Sequence, residues 1–154
     1  MLGTVATLTS STTYTGLGEL PHFNPDDDRD PPHPAVAALR AAIKEADAVM
    51  ICTPEYAGGL PGSFKNLLDW TVGGGEIYGK PVAWINASSV AAPTGGRDAH
   101  DSLRKVLTYA GARIVDEACV RIPVPRDAVA DGLVVDPDLR GRIAVAVQRL
   151  REGV

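Results

Sequence analysis

Residues 48–70 read AVMICTPEYAGGLPGSFKNLLDW, which is the order of a strand, a loop and a helix. The run from Ala48 to Cys52 is continuously apolar and stops at Thr53-Pro54, a pattern typical of a strand buried on both faces of a parallel sheet. The apolar residues that follow at helical spacing are Phe64, Leu67, Leu68 and Val72. Three glycines at 73–75 end the helix pattern. A buried strand that leads through a loop into an amphipathic helix indicates the crossover unit of an α/β fold.

The same alternation continues on both sides of this stretch. An amphipathic helix pattern begins at Pro34, which suits the first turn of a helix because its missing N–H is not needed there. The other predicted elements are a buried strand over 81–87, a helix over 98–110 with Gly111 after its end, a strand or strand pair at 113–115 and 120–122, and a helix that begins near Asp136-Pro137. This order predicts a three-layer α/β sandwich around a parallel sheet, and we interpret residues 1–154 as one domain.

Composition excludes several classes of protein. The 154 residues carry a net charge of −4, whereas a domain that binds nucleic acid is usually basic. No apolar run approaches the roughly 20 residues of a membrane-spanning helix, and the N-terminus lacks the basic start of a secretory signal. Two cysteines cannot form a zinc site of four thiolates. We therefore expect a cytoplasmic protein that binds neither nucleic acid nor membrane, and we predict no metal site.

Two loops follow the predicted buried strands and are candidates for ligand binding. The loop from Thr53 to Gly62 holds two prolines and three glycines, so its backbone can approach a ligand closely. The second loop contains Asn86-Ala87-Ser88-Ser89 and then Thr94-Gly95-Gly96-Arg97. Either loop alone could be an ordinary connection. Because the carboxyl ends of neighbouring strands form one crevice, the two loops together predict a ligand site there.

A linked set of motifs in this region resembles a known family. The chain reads T-P-E-Y at 53–56, L-P-G at 60–62, F-K-N-L-L-D-W at 64–70, G-K-P at 79–81 and G-G-R at 95–97. This block is similar to the signature of the NADPH-dependent FMN reductase family, flavodoxin-like proteins that include azo-, quinone- and chromate-reducing flavoenzymes. The resemblance covers roughly Tyr14 to Val124. It implies a flavodoxin-like fold and an NAD(P)H-dependent oxidoreductase.

The resemblance also implies a mechanism and a set of cofactor contacts. FMN and NADPH would be the cofactors, and hydride would pass from NADPH through the flavin to FMN, a quinone or another small electron acceptor. The first loop would wrap the flavin ring mainly through backbone amides, and the second would line its other side. No catalytic acid or base from the protein is expected. The predicted cofactor-binding residues are Thr53, Pro54, Glu55, Tyr56, Asn86, Ala87, Ser88, Gly95 and Gly96.

Family members commonly pair so that a neighbouring subunit completes the flavin site, so the resemblance further implies a homodimer or homotetramer. The candidate interface is the helix that carries Leu67, Trp70 and Val72 together with the loop 73–78, where an exposed Trp and Tyr would suit a subunit contact. Lys65, Asn66 and Asp69 are interpreted as residues that position this helix or contact a subunit.

The beginning of the chain departs from the family pattern. Family members start with an apolar strand and a loop of the type G-S-x-R-x-x-S-x-N, which holds the FMN phosphate at a helix N-terminus. The chain contains no such segment, so we expect the first strand and the phosphate loop to be missing. Residues 1–8 are either the tail of the family's first helix or a replacement strand; Thr9-Ser10-Ser11 is predicted as a turn and 12–15 as the family's second strand. The sequence is therefore interpreted as truncated at its N-terminus, or as a degenerate, non-catalytic domain with impaired FMN binding.

Three further patterns have competing interpretations. Cys52 stands at a strand end and either faces the crevice as a redox-sensitive thiol or is a small buried hydrophobe. The last helix carries Arg140, Arg142, Arg149 and Arg151, which form its solvated face or attract a phosphate of NADPH. A hydrolase on the same fold has no nucleophile motif behind it, because Ser63 lacks the second flanking glycine of a nucleophile elbow.

Overall fold

The structure is a computed structural model, and it describes residues 1–9 and 11–154. The α-helices of this part of the chain are α1 (Leu2–Thr9), α2 (Pro34–Glu45), α3 (Gly62–Val72), α4 (Arg97–Tyr109) and α5 (Pro137–Glu152). The strands are β1 (Val49–Thr53), β2 (Pro81–Asn86), β3 (Arg113–Ile114), β4 (Val120–Arg121), β5 (Val129–Ala130) and β6 (Leu133–Val134). The predicted helices and the buried strands therefore form where their periodicity places them.

Strand β2 is the centre of a parallel sheet. Strand β1 pairs with it from Val49 opposite Val82 to Thr53 opposite Asn86. On its other side β2 pairs first with β3 and then with β4, so the predicted strand pair is confirmed as two short strands along one edge. The extra residues between β3 and β4 are accommodated in a single 3₁₀ turn at Asp116–Ala118.

Helices cover both faces of this sheet. Val82 and Trp84 pack on one face with the apolar residues of α2, α3 and α4. Ile85 packs on the other face with residues of α1 and α5, and Ala83 packs there against Leu150. Every residue of β2 is buried, as expected for a central strand covered on both sides. The predicted three-layer α/β sandwich is confirmed.

The N-terminal segment is a helix, which decides between the two interpretations of residues 1–8. Helix α1 packs on α5, and the Thr4 hydroxyl accepts a hydrogen bond of 2.9 Å from the amide of Val134. The predicted turn at 9–11 includes Ser10, which lies outside the described residues. The predicted strand at 12–15 is wrong, because these residues pair with no strand in the described chain; Tyr14 instead packs against the core through its side chain.

Helix α3 differs from the prediction in which side chains it exposes. Trp70 is only 1% exposed, because its Nε1 donates to the Pro21 carbonyl at 2.9 Å and its ring packs edge-on against Phe23 at 4.9 Å. Asn66 accepts from the Phe23 amide at 2.7 Å and donates to Pro21, which agrees with its predicted positioning role. The predicted exposed tryptophan is therefore wrong. Val72 was expected on the apolar face of this helix and is exposed instead.

The C-terminal region contains a hairpin that was not predicted. Strands β5 and β6 pair antiparallel through Asp131 and Gly132, both of which have positive φ angles. Asp-Gly between apolar residues is a signal for this two-residue turn, so the sequence could have revealed it. Helix α5 is capped by the Asp136 side chain, as predicted. Its four arginines each donate to a main-chain carbonyl oxygen, in addition to forming a solvated face; these carbonyls belong to Val134, Arg121, Glu117 and Thr9.

Candidate functional site

A cleft of about 460 Å³ opens at the carboxyl ends of β1 and β2, where the two candidate loops meet. It is lined by Pro54, Glu55, Ala57, Gly58, Ala87, Ser88, Ser89, Ala92, Pro93 and Thr94. Four of the nine predicted site residues thus lie in its wall: Pro54, Glu55, Ala87 and Ser88. Its volume falls within the range of about 300–1,000 Å³ that is usual for small-molecule sites. The parallel sheet brings the two loops together, because strands β1 and β2 end at the same edge.

The other predicted residues stand around the cleft rather than in its wall. Thr53 and Asn86 are buried at the paired ends of their strands. Gly96 is buried at the start of α4, and Gly95 precedes it on the loop that contains Thr94. Tyr56 is 74% exposed, beyond the cleft wall. The sequence signals missed Ala92 and Pro93, although their position between the two quoted motifs of the second loop could have suggested them.

The first loop contains a tight turn between Tyr56 and Gly59. The Tyr56 amide donates to Gly59 at 2.9 Å, the Gly59 amide donates back at 3.1 Å, and Ala57 and Gly58 between them have φ angles of 50° and 75°. The Tyr56 amide is therefore occupied within the loop, and Pro54 has no N–H to offer. Of the three residues expected to polarise a ligand through their amides, only Glu55 keeps an amide free for that role within the described chain.

The Glu55 carboxylate joins the first loop to the second. One oxygen accepts from the Thr94 hydroxyl, and the other accepts from the amides of Asp98 at 2.9 Å and Ala99 at 3.1 Å. Gly96 precedes α4 and has no side chain to cap it, so Glu55 supplies the missing cap from a distant part of the chain. The Thr94 hydrogen bond, followed by the helix amides and Arg97, lowers the pKa of Glu55 despite partial desolvation. Its side chain shapes the cleft by holding the two loops together.

Two buried polar side chains lack partners: Ser88 in the wall of the cleft and Asn86 at the end of β2. Asn86 is completely buried, and neither its Oδ1 nor its Nδ2 is hydrogen-bonded within the described chain. The hydroxyl of Ser88, which is 4% exposed, is also unpaired. An unsatisfied buried polar group costs about 1–3 kcal/mol, so such groups usually mark a place where a ligand or water completes the bonding. A Cβ on Gly96 would overlap Asn86 Oδ1, which explains why a glycine stands there.

Behind the second loop, α4 carries a histidine that sequence reasoning did not select. His100 Nδ1 accepts from Trp84 Nε1 at 2.9 Å, and the Arg104 guanidinium lies 5.4 Å from the Trp84 ring centroid. Burial, and then the positive charges of Arg104 and Arg121, lower the pKa of His100. The imidazole is therefore neutral near pH 7, with its Nδ1 engaged by the core. The pattern is that of a structural histidine that packs α4 against Trp84 of the central strand.

The thiol of Cys52 does not face the cleft. It packs with Val5, Ile85 and Ile143 in the layer between the sheet and helices α1 and α5, because strand alternation points it away from Thr53 and Ile51. Burial raises its pKa to about 11. The interpretation as a small buried hydrophobe is confirmed, and the prediction that it faces the crevice is wrong.

Residues 1–9 and 11–154 contain no group of three or more His, Cys, Asp or Glu side chains arranged to hold a metal ion. No helix in this part of the chain combines the length and the apolar character required to cross a membrane.

Several curated proteins are similar to this chain. A 2-hydroxy-1,4-benzoquinone reductase from Burkholderia sp is 34% identical over 131 residues, which cover 82% of this chain and 70% of that protein. A quinone reductase from Escherichia coli (strain K12) is 34% identical over 66% of this chain and 54% of its own length. An NADPH azoreductase from Bacillus sp. (strain OY1-2) is 34% identical over 77% of this chain and 60% of its own length. The chain therefore spans little more than half of the length of the latter two relatives.

The fold of this chain also matches a solved structure, and its sequence matches a family model. The solved structure of FerB, a flavoenzyme NAD(P)H:(acceptor) oxidoreductase from Paracoccus denitrificans, superposes with a TM-score of 0.78 and 28% identity, covering 97% of this chain and 86% of FerB. The sequence model of NADPH-dependent FMN reductases matches residues 3–124, which include both loops of the cleft. The predicted flavodoxin-like fold and the predicted cofactors FMN and NADPH are confirmed at the level of the family. With its motif block, its sheet and its cleft in agreement, the chain belongs to the NADPH-dependent FMN reductase family.

Proposed function

We propose that this chain is an NAD(P)H-dependent flavin oxidoreductase that carries a hydride from NADPH through FMN to a small quinone. The observation that supports it best is the cleft between the loops 53–62 and 86–97, which carry the family motifs and end the two central parallel strands. The family match and the quinone-reducing relatives support the same function.

The residues of the cleft suit a flavin ring. Such a ring is flat, apolar at one end and rich in hydrogen-bonding groups at the other. The apolar wall is provided by Pro54, Ala57, Ala87, Ala92 and Pro93. The unpaired hydroxyl of Ser88 lies in the same wall, and the unpaired amide of Asn86 is buried at the end of β2. Small side chains and a glycine at 58 let the backbone approach a flat ligand closely. The donor set and the shape of the cleft therefore fit the cofactor.

When bound, FMN supplies the hydride chemistry, so the chain has to bind, orient and shield rather than donate protons. Glu55 holds the two loops at a fixed separation through Thr94 and the start of α4. With FMN bound, the alanine and proline side chains of the wall would cover part of the ring and limit the access of water to it. His100 is engaged with Trp84 and takes no part in proton transfer.

The proposed acceptor is a small quinone. The apolar wall fits a second flat ring better than a charged or extended substrate, because its lining side chains are short and uncharged apart from Glu55. The relatives from Burkholderia sp and Escherichia coli are quinone reductases, whereas the relative from Bacillus sp. reduces azo compounds. A quinone is therefore the acceptor to test first.

The test is flavin binding followed by turnover. We expect the purified chain to bind FMN and to oxidise NADPH when a benzoquinone is added. Ser88→Ala should weaken FMN binding by about tenfold, which corresponds to the net value of one hydrogen bond, about 1.4 kcal/mol. Ser63→Ala, at an exposed position on α3, is the matched control and should leave binding unchanged. A folded chain that binds no FMN would contradict the proposal and support the degenerate, non-catalytic alternative.

We also propose that the chain forms a homodimer or homotetramer through the end of α3 and the loop that follows. Val72 is 54% exposed and Tyr78 is 78% exposed there, whereas Trp70 belongs to the core. Tyr78→Asp should lower the sedimentation coefficient to that of a monomer, and Val145→Asp, at an exposed position on α5, should not. Wild-type protein that sediments as a monomer at high concentration would contradict this interface.

A further inference from the structure

The chain contains two tight turns of the same backbone form, one in the wall of the cleft and one in the hairpin β5–β6. Ala57 and Gly58 have φ angles of 50° and 75°, and Asp131 and Gly132 have the same two values. Each pair joins two short antiparallel segments. Positive φ at both central residues indicates a type I′ turn, which strongly favours asparagine, aspartate or glycine at its first central position. The two turns can therefore be compared within one molecule.

The hairpin turn follows this preference, and the turn in the cleft wall departs from it. Asp131 suits a left-handed backbone because a short polar side chain can form hydrogen bonds locally. Alanine forms no such bond, and in this conformation its Cβ lies too close to the following carbonyl oxygen. Within residues 1–9 and 11–154, Ala57 is the only residue other than glycine or aspartate with a positive φ angle. The first loop thus keeps an alanine where the backbone alone favours another residue.

The environment of Ala57 supplies a reason for this choice, since residues in unfavourable backbone conformations concentrate at ligand sites. Ala57 is exposed, and together with Gly58 it forms part of the wall of the cleft. A Cβ on Gly58 would meet nothing within 4 Å, so there is open space beside the turn. On the second loop the wall is also built from short side chains, those of Ala87 and Ala92 among them. Asparagine or aspartate at position 57 would suit the turn better but would occupy part of this space.

We propose that Ala57 determines acceptor specificity, because its small side chain leaves room in the cleft for a quinone with fused rings. The inference rests on the proposed function for the identity of the acceptor. Glu55 brings a charge to the wall, but its carboxylate is engaged by Thr94 and by the amides at the start of α4. The space between the two loops therefore selects the acceptor by its size.

The variants Ala57→Asn and Ala57→Gly separate the backbone from the side chain. Both new residues adopt a left-handed conformation more readily than alanine, but only asparagine adds atoms to the wall. In the chain without flavin, Ala57→Asn should unfold at a higher urea concentration than the wild type. Asp131→Ala places the Ala-Gly pair in the hairpin turn and should unfold at a lower concentration.

The second measurement is the KM for quinones of one, two and three rings, with FMN bound. Ala57→Asn should raise the KM for a naphthoquinone and for an anthraquinone by about tenfold, the low end of what a pocket imposes on a group that is too large. The KM and the kcat for a benzoquinone should change by less than about twofold. Ala57→Gly and Asp131→Ala should leave all three KM values within about twofold of the wild type, because neither adds atoms to the wall.

These measurements distinguish the proposal from a structural role of the turn. If Ala57→Asn is more stable but its KM values for the three quinones change equally or not at all, Ala57 is only a turn residue and the proposal is wrong. The proposed oxidoreductase function would still hold in that case. If the wild type binds no FMN, the proposed function fails, and calorimetry with the naphthoquinone and the chain without flavin tests the proposal instead. Equal affinity of the wild type and Ala57→Asn, or no binding to either, would then overturn it.

Discussion

At the scale of single residues, Gly96 is a position at which the backbone passes very close to two buried polar side chains. Its φ angle is 80°, and a Cβ there would overlap Asn86 Oδ1 and lie 3.3 Å from Ser88 Cβ. The side chains of Asn86 and Ser88 are therefore packed against the backbone of the second loop. The family's glycine pair at 95–96 has a physical reason in this structure, since only a residue without a side chain leaves Asn86 in place.

Gly96→Ala should destabilise the chain and weaken FMN binding together. Gly132→Ala is the matched control, because its φ angle is 75° but a Cβ there would meet nothing within 4 Å. The control should cost about 1–2 kcal/mol for the left-handed backbone alone. Gly96→Ala should cost about 1–3 kcal/mol more, because Asn86 must move. Urea unfolding measures the free energy of unfolding of both variants. Equal losses of stability would contradict the close packing of Gly96 on Asn86.

The lowered pKa of Glu55 predicts a dependence of stability on pH. A carboxyl group whose folded pKa lies below its ordinary value of 4.5 stabilises the fold above that pH and loses its contribution as the pH falls through the folded pKa. Glu55→Gln should therefore be less stable than wild type near pH 7, and the difference should shrink below pH 4.5. Thermal unfolding at a series of pH values measures this difference in stability between the variant and wild type. Glu117→Gln, at an exposed position, is the control. A difference that does not change with pH would show that the charge of Glu55 does not hold the loops.

At the scale of elements, α1 depends on tertiary contacts because eight residues are too few for a stable isolated helix. Its main polar contact is the Thr4 hydroxyl on the Val134 amide, and Val5 packs among the residues of α5 and β2. Arg151 of α5 adds a hydrogen bond to the Thr9 carbonyl oxygen at 2.6 Å. The helix is thus held by the C-terminal hairpin and by α5.

Thr4→Val should detach α1 from the hairpin. The substitution preserves shape but leaves the buried Val134 amide without an acceptor, which costs about 1–3 kcal/mol. Thr7→Val, at an exposed position on the same helix, should change stability by less than about 0.5 kcal/mol. Hydrogen exchange at the Val134 amide should also accelerate in Thr4→Val. Unchanged exchange at this amide would contradict the assigned contact.

At the scale of the whole molecule, the two thiols report on the cooperativity of unfolding. Cys52 packs between the sheet and helices α1 and α5, and Cys119 contacts cores on both faces of the sheet. Burial raises the pKa of both thiols to about 11, so the native protein should react slowly with iodoacetamide near pH 8. If the layers unfold together, both cysteines should become labelled at the same urea concentration, as mass spectrometry would show. Separate midpoints would mean that the layers unfold independently.

Much of the fold was predictable because its signals are local. The apolar run at 49–53, the helical spacing of Leu39 and Ile43 and the cap at Asp136 depend on residues that are close in sequence. The location of the cleft followed from the same patterns, because parallel strands end at one edge. The errors fell on residues whose environment depends on distant partners. Trp70 is buried by Pro21 and Phe23, and residues 12–15, expected as a strand, pair with no strand in the part of the chain that the structure describes.

The sequence by itself determined the alternation of strands and helices, the two loops at the strand ends and the family motifs within them, because periodicity and turn chemistry act over a few residues. The tertiary structure alone decided that Glu55 bonds to Thr94 and to α4, that Asn86 and Ser88 remain unpaired beneath Gly96, and that Arg121 reaches the rim of the cleft. The contacts of Glu55 and Arg121 join residues tens of positions apart. They depend on how the layers pack, which no local pattern encodes.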